Sequence, residues 1–442
     1  MFQYIDILKE IFNNLNLKNQ IRFIQLNKYF NENIFVTDLW NIENRYLKAI
    51  NNDILQYHTN IKKLVINKNI NNISHLTNLK ELDCHGHCQI TDEHLKFLSS
   101  LHILKAQFNY NIKNISHMQN LRILDCSNSK ITDDDIKNLN LEILYAGSNH
   151  NIKNISHMNR LRQLHQIYGS ITNEDLRGLN LTKLYIHSNN SITDINCLTN
   201  LKSLNCENTN LTDEGIKKLN LEILKMNYNK YIKNISNMTK LKILECRSTN
   251  ISNNDIKNLN LFSLDMDNNL NISHMTCLRK LSDINNYITQ ETINNLDLVK
   301  LFISHNDKIT NLNHMSNLQT LICNGNVLSD EGIKNLNLNG LYVYANSNIK
   351  NIGHMTNLKL LGCGYESGIS DESIKNLDLI ELDSYCNNKI TNISHMKNLT
   401  KLTCSNNTII PENIKKYIIK TEHGITINDN LIIPIKIDNI YQ

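Results

Sequence analysis

Seven histidines sit beside a methionine or leucine, at His75, His117, His157, His274, His314, His354 and His395. Seven cysteines, Cys84, Cys126, Cys206, Cys246, Cys323, Cys363 and Cys404, recur at a related spacing. Imidazole and thiolate are the ligands zinc takes most readily, and Cys84-His85-Gly86-His87-Cys88 crowds four of them into one short stretch. Whether any of them can share an ion depends on what holds them apart.

What holds them apart is a beat. Leu-x-x-Leu recurs about every 20 residues from Ile61 to Leu402, through eighteen successive units, and a period of about 20 to 29 built on that pattern marks a leucine-rich repeat solenoid. The expected fold is an α/β repeat of about 18 short coils, a horseshoe-like stack, over residues 61–409. Strands of adjacent coils lie about 4.8 Å apart, so like positions in alternate coils are roughly 10 Å apart. Ligands of one zinc each lie about 2.0–2.3 Å from it, and a disulfide needs Cα atoms within about 7 Å. The histidines therefore read as turn residues copied by duplication, and the cysteines as small apolar side chains facing inward. Cys84 belongs to that inward column and the rest of its cluster begins a turn, so no metal and no cofactor is expected. Free thiols fit a reducing compartment.

The true period is 40, because two kinds of coil alternate. One reads like Leu121 to Asn140, the other like Leu141 to Arg160. In both, residues 1, 4 and 6 of the strand point inward (Leu121, Leu124, Cys126) and residues 2, 3 and 5 lie on the open face. The first kind continues Ile-Thr-Asp-x-x-Ile-x-x-Leu, in which Thr or Ser followed by acids starts a short helix. Asp133, Asp134 and Asp135 sit where such a start wants negative charge. The second kind runs Ile-x-x-Ile-Ser-His-Met, an apolar spacing that suits a tight turn. All nine coils of the second kind place Asn ninth, at Asn69, Asn109, Asn149, Asn189, Asn229, Asn269, Asn306, Asn346 and Asn387. An amide there can satisfy backbone groups leaving the strand. The alternate coils use Ser129, Thr209, Thr249, Asn286, Asn326 and Asn407 in the same slot.

The open strand face is where a ligand would meet this architecture. Its fifth-position column carries Tyr145, Tyr185, Phe302 and Tyr342 among Asp83, Lys105, Asp125, His165, Lys225, Glu245 and Asp265. Aromatics among charges are the usual composition of a protein-binding hot spot, and these four are the candidate contacts for an unknown protein substrate. The bland alternative is a merely sticky β surface, with Ile123, Ile143, Ile223 and Ile243 at the third position.

Other classes are excluded more simply. Net charge is +4 over 442 residues with both signs evenly spread, so no basic stripe points to nucleic acid. The first residues lack the basic and apolar regions of a signal peptide, and no apolar run is long enough to cross a membrane. Gly-x-x-x-x-Gly-Lys, Gly-x-Ser-x-Gly and His-Glu-x-x-His are all absent. The expectation is a binder with no catalytic residues, intracellular, and a monomer outside any complex.

Residues 1–40 stand outside the beat, with Ile7, Leu8, Ile11, Phe12 and Leu15, then Ile21, Ile24 and Leu26, at helical spacing. Glu10-Ile11-Phe12-x-x-Leu15, Gln20-Ile21-Arg22, Leu26-Asn27-Lys28-Tyr29-Phe30 and Leu39-Trp40 together resemble an F-box, although Phe2-Gln3-Tyr4-Ile5 replaces that family's opening Leu-Pro-x-Glu. The first kind of coil, as Leu211 to Leu219 and Leu328 to Leu336, resembles the cysteine-containing repeats of F-box leucine-rich-repeat proteins. The second, as Asn189 to Leu204, resembles internalin repeats. The near-duplicate coils and the Asn-, Ile- and Lys-rich composition are similar to the repeat families expanded in giant DNA viruses of the mimivirus kind. These resemblances imply a substrate receptor of a cullin-type ubiquitin ligase in a host cell's cytoplasm. Ile7, Leu8, Ile11, Phe12, Leu15, Ile21 and Leu26 would hold a Skp-type adaptor, and the repeats the substrate. Residues 41–60 would link or cap, and residues 410–442, which hold Pro411 and Pro434, would form a terminal cap with a hairpin-like tail. The alternative is a scaffold or host-directed effector whose N-terminal helices serve only as a cap.

Overall fold

The computed structural model describes residues 38–39, 50–56, 59–283, 285–413, 418–421 and 424–427. The chain divides into two compact units, Met1–Leu219 and Asn220–Gln442. Each is a leucine-rich repeat solenoid built of parallel strands, one per coil.

In the N-terminal unit the strands run from Asp38–Leu39 to Ser203–Asn205, and each pairs in parallel with the next in exact step. Leu104 faces Leu124, Leu124 faces Leu144, and Leu144 faces Leu164. In the strands Ile123–Asp125, Ile143–Tyr145 and Gln163–His165 the central leucine is buried and its two neighbours are half-buried, which sets positions 3 and 5 on the open face. Inside, Leu121, Leu124, Cys126, Ile131, Ile136 and Leu139 of a single coil have almost no exposed surface. Burying such side chains contributes about 1.5–3 kcal/mol each before entropy is charged against it. Repetition stacks them into one continuous apolar column.

The C-terminal unit repeats the arrangement from Ile223–Lys225 to Lys401–Cys404. Its sheet edge is then covered by a hairpin, Ile418–Thr421 with Gly424–Ile427, whose second strand lies antiparallel to Lys401–Cys404. The sixth-position cysteines are buried, as expected, but two alternate coils of the same kind depart from the column. Gln166 and Asp283 stand there instead, both fully buried. The Asp283 carboxylate survives inside because it accepts from the Asn285 and Ile288 N–H groups at 3.2 and 2.8 Å.

The helix starts of the first coil kind form one short turn each, as at Asp92–Leu95, Asp133–Ile136 and Asp213–Ile216. At Glu174–Leu176 the turn tightens to a 3₁₀ helix. Asp135 caps its helix by accepting from Thr132 N–H and Oγ1–H at 2.7 and 2.8 Å. Asp133 reaches the next coil and accepts from the Lys153 and Asn154 N–H groups at 2.8 and 2.9 Å. Asp92, Asp330 and Asp371 do the same one coil on. The acids therefore tie neighbouring coils together as well as favouring the positive end of a helix.

Residues before Ile61 also take part. Asp38–Leu39 pairs with Lys63–Val65, placing Leu39 against Leu64, and Leu39 is buried. The turn Asn52–Leu55 offers Asn52 Oδ1 to the Asn71 and Asn72 N–H groups at 3.1 and 3.3 Å, the bond pattern of Asp133. The Asn52–Leu55 turn therefore holds the following coil as the helix starts of the first coil kind do. Among the described residues no helix is long and apolar enough to cross a membrane.

The asparagine ladder holds at seven of its nine expected rungs and fails at two. Asn109, Asn149, Asn189, Asn229, Asn306, Asn346 and Asn387 are buried. Asn149 donates to the Cys126 and Ile131 carbonyls of the preceding coil at 3.1 and 3.0 Å and accepts from the Asn151 N–H at 3.1 Å. Asn69 and Asn269 are exposed. Their coils are shorter than 20 residues, so the turn begins earlier. Asn67 donates to Ile50 O at 2.9 Å and Asn268 to Thr249 O at 3.2 Å in their stead.

Candidate functional site

The histidine column has a structural use that spacing did not reveal. Six of the seven rings donate Nε2–H to the carbonyl of the last helical residue in the coil before: His75 to Leu55, His117 to Leu95, His157 to Ile136, His274 to Ile256, His314 to Ile293 and His395 to Ile374, at 3.0–3.3 Å. Five of the six carbonyls already accept from the backbone N–H three residues on, as Leu95 O does from Leu98 N–H at 2.9 Å, and each ring adds a second bond that ties its coil to the one before. Burial pushes the column thiols up, Cys323 to about 12 and Cys404 to about 11, which leaves them protonated and inert. Cys88 differs. A hydrogen bond from the Cys84 thiol lowers it, while its Sγ lies 3.1 Å from Cys84 O and accepts from Asn109 Nδ2 at 3.2 Å. Among the described residues no group of three His, Cys, Asp or Glu side chains could hold a metal ion.

On the open face of the N-terminal unit, parallel register turns a sequence column into a stack of rings. Tyr145 pairs with His165 and His165 with Tyr185. Their ring centroids lie 4.2 and 4.0 Å apart, with interplanar angles of 27° and 8°. Burial, aided by Lys183, brings His165 down to about 4, so its ring is neutral at physiological pH. Beside this stack lies a groove of about 610 Å³, lined in part by Asp83, Ile103, Lys105, Ile123, Asp125 and Tyr145. Lys105 reaches Asp83 at 3.7 Å, His85 Nδ1 meets Asp83 at 2.5 Å, and Lys63 meets Glu81 at 3.0 Å. Burial raises the Asp125 carboxyl.

The C-terminal unit carries a different aromatic group. Phe302 and Tyr342 stand two strands apart with Ile322 between them in register. Tyr342 meets Tyr344 at 6.4 Å, Tyr344 meets Tyr365 at 6.2 Å, and Tyr365 meets Tyr385 edge-on at 5.8 Å. Tyr344 reaches across an intervening coil to donate its hydroxyl to Asp383 Oδ2 at 2.9 Å. That crossing needs Gly362, where a Cβ would lie 2.5 Å from the Tyr344 hydroxyl. Elsewhere the charges are spent internally. Arg247 holds Asp265 at 2.7 Å and Ser282 Oγ at 3.1 Å, and Lys225 holds Glu245 at 2.6 Å.

The four aromatics singled out by column therefore fall into two settings. Tyr145 and Tyr185 belong to one stack joined by His165, Tyr342 joins a tyrosine cluster, and Phe302 stands apart from both. All four are half-buried. Tyr344, Tyr365 and Tyr385 were missed because they occupy positions seven and eight, beyond the strand. The eighth position is left-handed in coil after coil, at Phe108, Tyr168, Tyr228 and Tyr365 with φ of 57°, 52°, 61° and 52°. There the side chain swings outward, and Tyr168, Tyr228 and Tyr365 are more than half exposed. Aromatics recurring one or two residues past the last inward position were the available signal. Ile7, Leu8, Ile11, Phe12, Leu15, Ile21 and Leu26 lie outside the described residues.

Among solved structures, the chain is similar to an internalin from Listeria monocytogenes, with 21% identity over 65% of this chain and 87% of that one and a TM-score of 0.43. It is similar to the functional domain of InlJ from Listeria monocytogenes, which includes a cysteine ladder, at 20% identity over 85% and 81% with a TM-score of 0.39. A leucine-rich-repeat protein of Leptospira interrogans is similar at 22% identity over 73% and 88%, with a TM-score of 0.37. Likenesses of that size leave the fold assignment resting on the coils themselves. No family model matches the chain, and no curated protein matches it in sequence.

Proposed function

We propose that this protein is an interaction scaffold that recognises another protein on its open strand face and works by binding alone. The Tyr145–His165–Tyr185 stack carries this reading. Three rings are held in fixed geometry by strand register, so little side-chain freedom is left to lose on binding, and flat aromatic area is what binding hot spots are made of. A photo-reactive residue at Tyr185 should capture a partner that the same residue at Lys137, on the helix side, does not. Equal capture from both positions sinks the reading.

The resemblance of residues 1–40 to an F-box supports a finer assignment, in which the scaffold recruits a substrate to a cullin-type ubiquitin ligase. Ile7, Leu8, Ile11, Phe12, Leu15, Ile21 and Leu26 would bind the Skp-type adaptor. A host cell's cytoplasm and a monomeric free state go with this assignment. The rival is a scaffold or effector with no ligase partner, and the pairing of buried Leu39 with Leu64 favours it, because a segment that closes the stack has a structural reason to exist. Co-purification with a Skp-type adaptor decides. Wild-type chain should recover the adaptor and an Ile11→Asp, Leu15→Asp variant should lose it; equally low recovery from both removes the ligase assignment.

A further inference from the structure

We propose that the open face of the N-terminal unit takes an arginine side chain from its partner protein, the guanidinium lying on the outer face of the Tyr145 ring and pairing with the Asp125 carboxylate. This rests on the protein-binding reading and names the chemistry of the partner.

The ring stack ends abruptly. His165 covers one face of Tyr145, and the register partner on the other side is Asp125, a short side chain that leaves the level of the next ring unfilled. A planar group placed there would continue the stack at strand spacing, about 4.8 Å, directly over a carboxylate. That carboxylate has no ion-pair partner among the described residues. Its Oδ1 accepts from the Ser127 N–H at 3.0 Å, while the cations of the neighbouring coils point elsewhere, Lys105 to Asp83 and Arg122 to Glu142 at 3.6 Å. Burial raises the Asp125 carboxyl, and the charge of Lys105 nearby offsets that only in part.

The surroundings select among cations. Ile103 and Ile123 line the same groove and offer apolar wall to a methylene stem. Guanidinium is planar, stacks on aromatic faces and bonds a carboxylate through two parallel N–H groups, whereas ammonium is a compact and strongly hydrated point charge. The neutral His165 ring adds no repulsion. Glu81, Asp83 and Asp125 outnumber Lys105 around one opening, with Lys63 and Lys105 held by Glu81 and Asp83, which disfavours anionic partners such as phosphate.

The test uses the full chain and three capped tripeptides, Gly-Arg-Gly, Gly-Lys-Gly and Gly-citrulline-Gly, with binding read by saturation transfer from protein to peptide. The arginine peptide should bind saturably, the lysine peptide more weakly, and the uncharged citrulline peptide not measurably. Asp125→Asn and Tyr145→Ala should each weaken the arginine peptide by about tenfold or more, while Glu174→Gln on the helix side leaves it unchanged; circular dichroism establishes that each variant is folded. Wild-type affinity in Asp125→Asn or in Tyr145→Ala, or equal binding of the citrulline peptide, overturns the proposal. Equal binding of the lysine peptide overturns the guanidinium assignment. If no arginine peptide binds while the residue at Tyr185 still captures a partner, this proposal falls and the scaffold reading stands.

Discussion

Replacing Asn149 by alanine should destabilise its coil far more than replacing Asn269, although the two occupy the same slot of the repeat. Asn149 is buried and bonds the Cys126 and Ile131 carbonyls and the Asn151 N–H. After truncation the Cys126 carbonyl still has Ser129 Oγ at 2.8 Å and the N–H of the exposed Asn151 can turn to water, but the buried Ile131 carbonyl loses its partner. A buried polar group left unsatisfied costs about 1–3 kcal/mol, so the loss is about 2 kcal/mol. Asn269 is exposed, and its truncation should stay within about 0.5 kcal/mol. A long repeat chain need not unfold in one step, so the assay is hydrogen exchange with mass-spectrometric readout, which reports each coil separately. At a factor of ten per about 1.4 kcal/mol, peptides spanning residues 121–160 should exchange about thirtyfold faster in Asn149→Ala, and peptides around residue 269 should barely change in Asn269→Ala. Equal effects from the two substitutions would refute the hydrogen-bond account of the ladder.

Gly215→Ala should destabilise although alanine is the better helix former by about 1 kcal/mol, because a Cβ on Gly215 would stand 2.1 Å from the Thr193 carbonyl oxygen. A higher urea midpoint for the variant would show that the two coils are not packed so closely. The N-terminal unit should lose stability as pH falls from about 6.5 towards 4. His165 is held neutral by burial with a folded-state value of about 4, below the ordinary value of about 6.5, so the unfolded chain takes up the proton first and the stabilisation present above pH 6.5 is lost on acidification. After discounting for the ring's partial exposure this amounts to about 1.5 kcal/mol. His165→Phe keeps the stack and should remove that part of the pH dependence; an unchanged pH profile would rule His165 out as its source.

The coils were legible because their inward positions repeat: Leu121, Leu124 and Cys126 announce themselves by period alone. What lay beyond periodicity was harder to see. Asn69 and Asn269 look like their seven siblings in sequence, yet a shortened coil starts its turn sooner and hands the bond to Asn67 or Asn268. The strand at Asp38–Leu39 lacks the leucine spacing, and only its pairing with Lys63–Val65 places it in the sheet. On the open face, the fifth-position column led directly to Tyr145 and Tyr185, and His165 between them was visible as one residue of a mixed column. That the three rings stack is a consequence of register, which a sequence column implies but does not measure. Tyr344, Tyr365 and Tyr385 were hidden because reach, and in one case a left-handed backbone, brings residues past the strand back to its face.

The histidine bonds set a rule for how such a chain can change length. His117 needs the helix that ends at Leu95 behind it, and the Lys153 and Asn154 N–H groups need Asp133. Each coil of the second kind thus leans on one of the first kind. Losing a single coil would place two of the same kind side by side, with histidine rings and turn amides, or helix acids, facing nothing that can answer them. Insertions and deletions tolerated in evolution or by an engineer should therefore come in pairs, with the 40-residue doublet as the smallest heritable unit of growth.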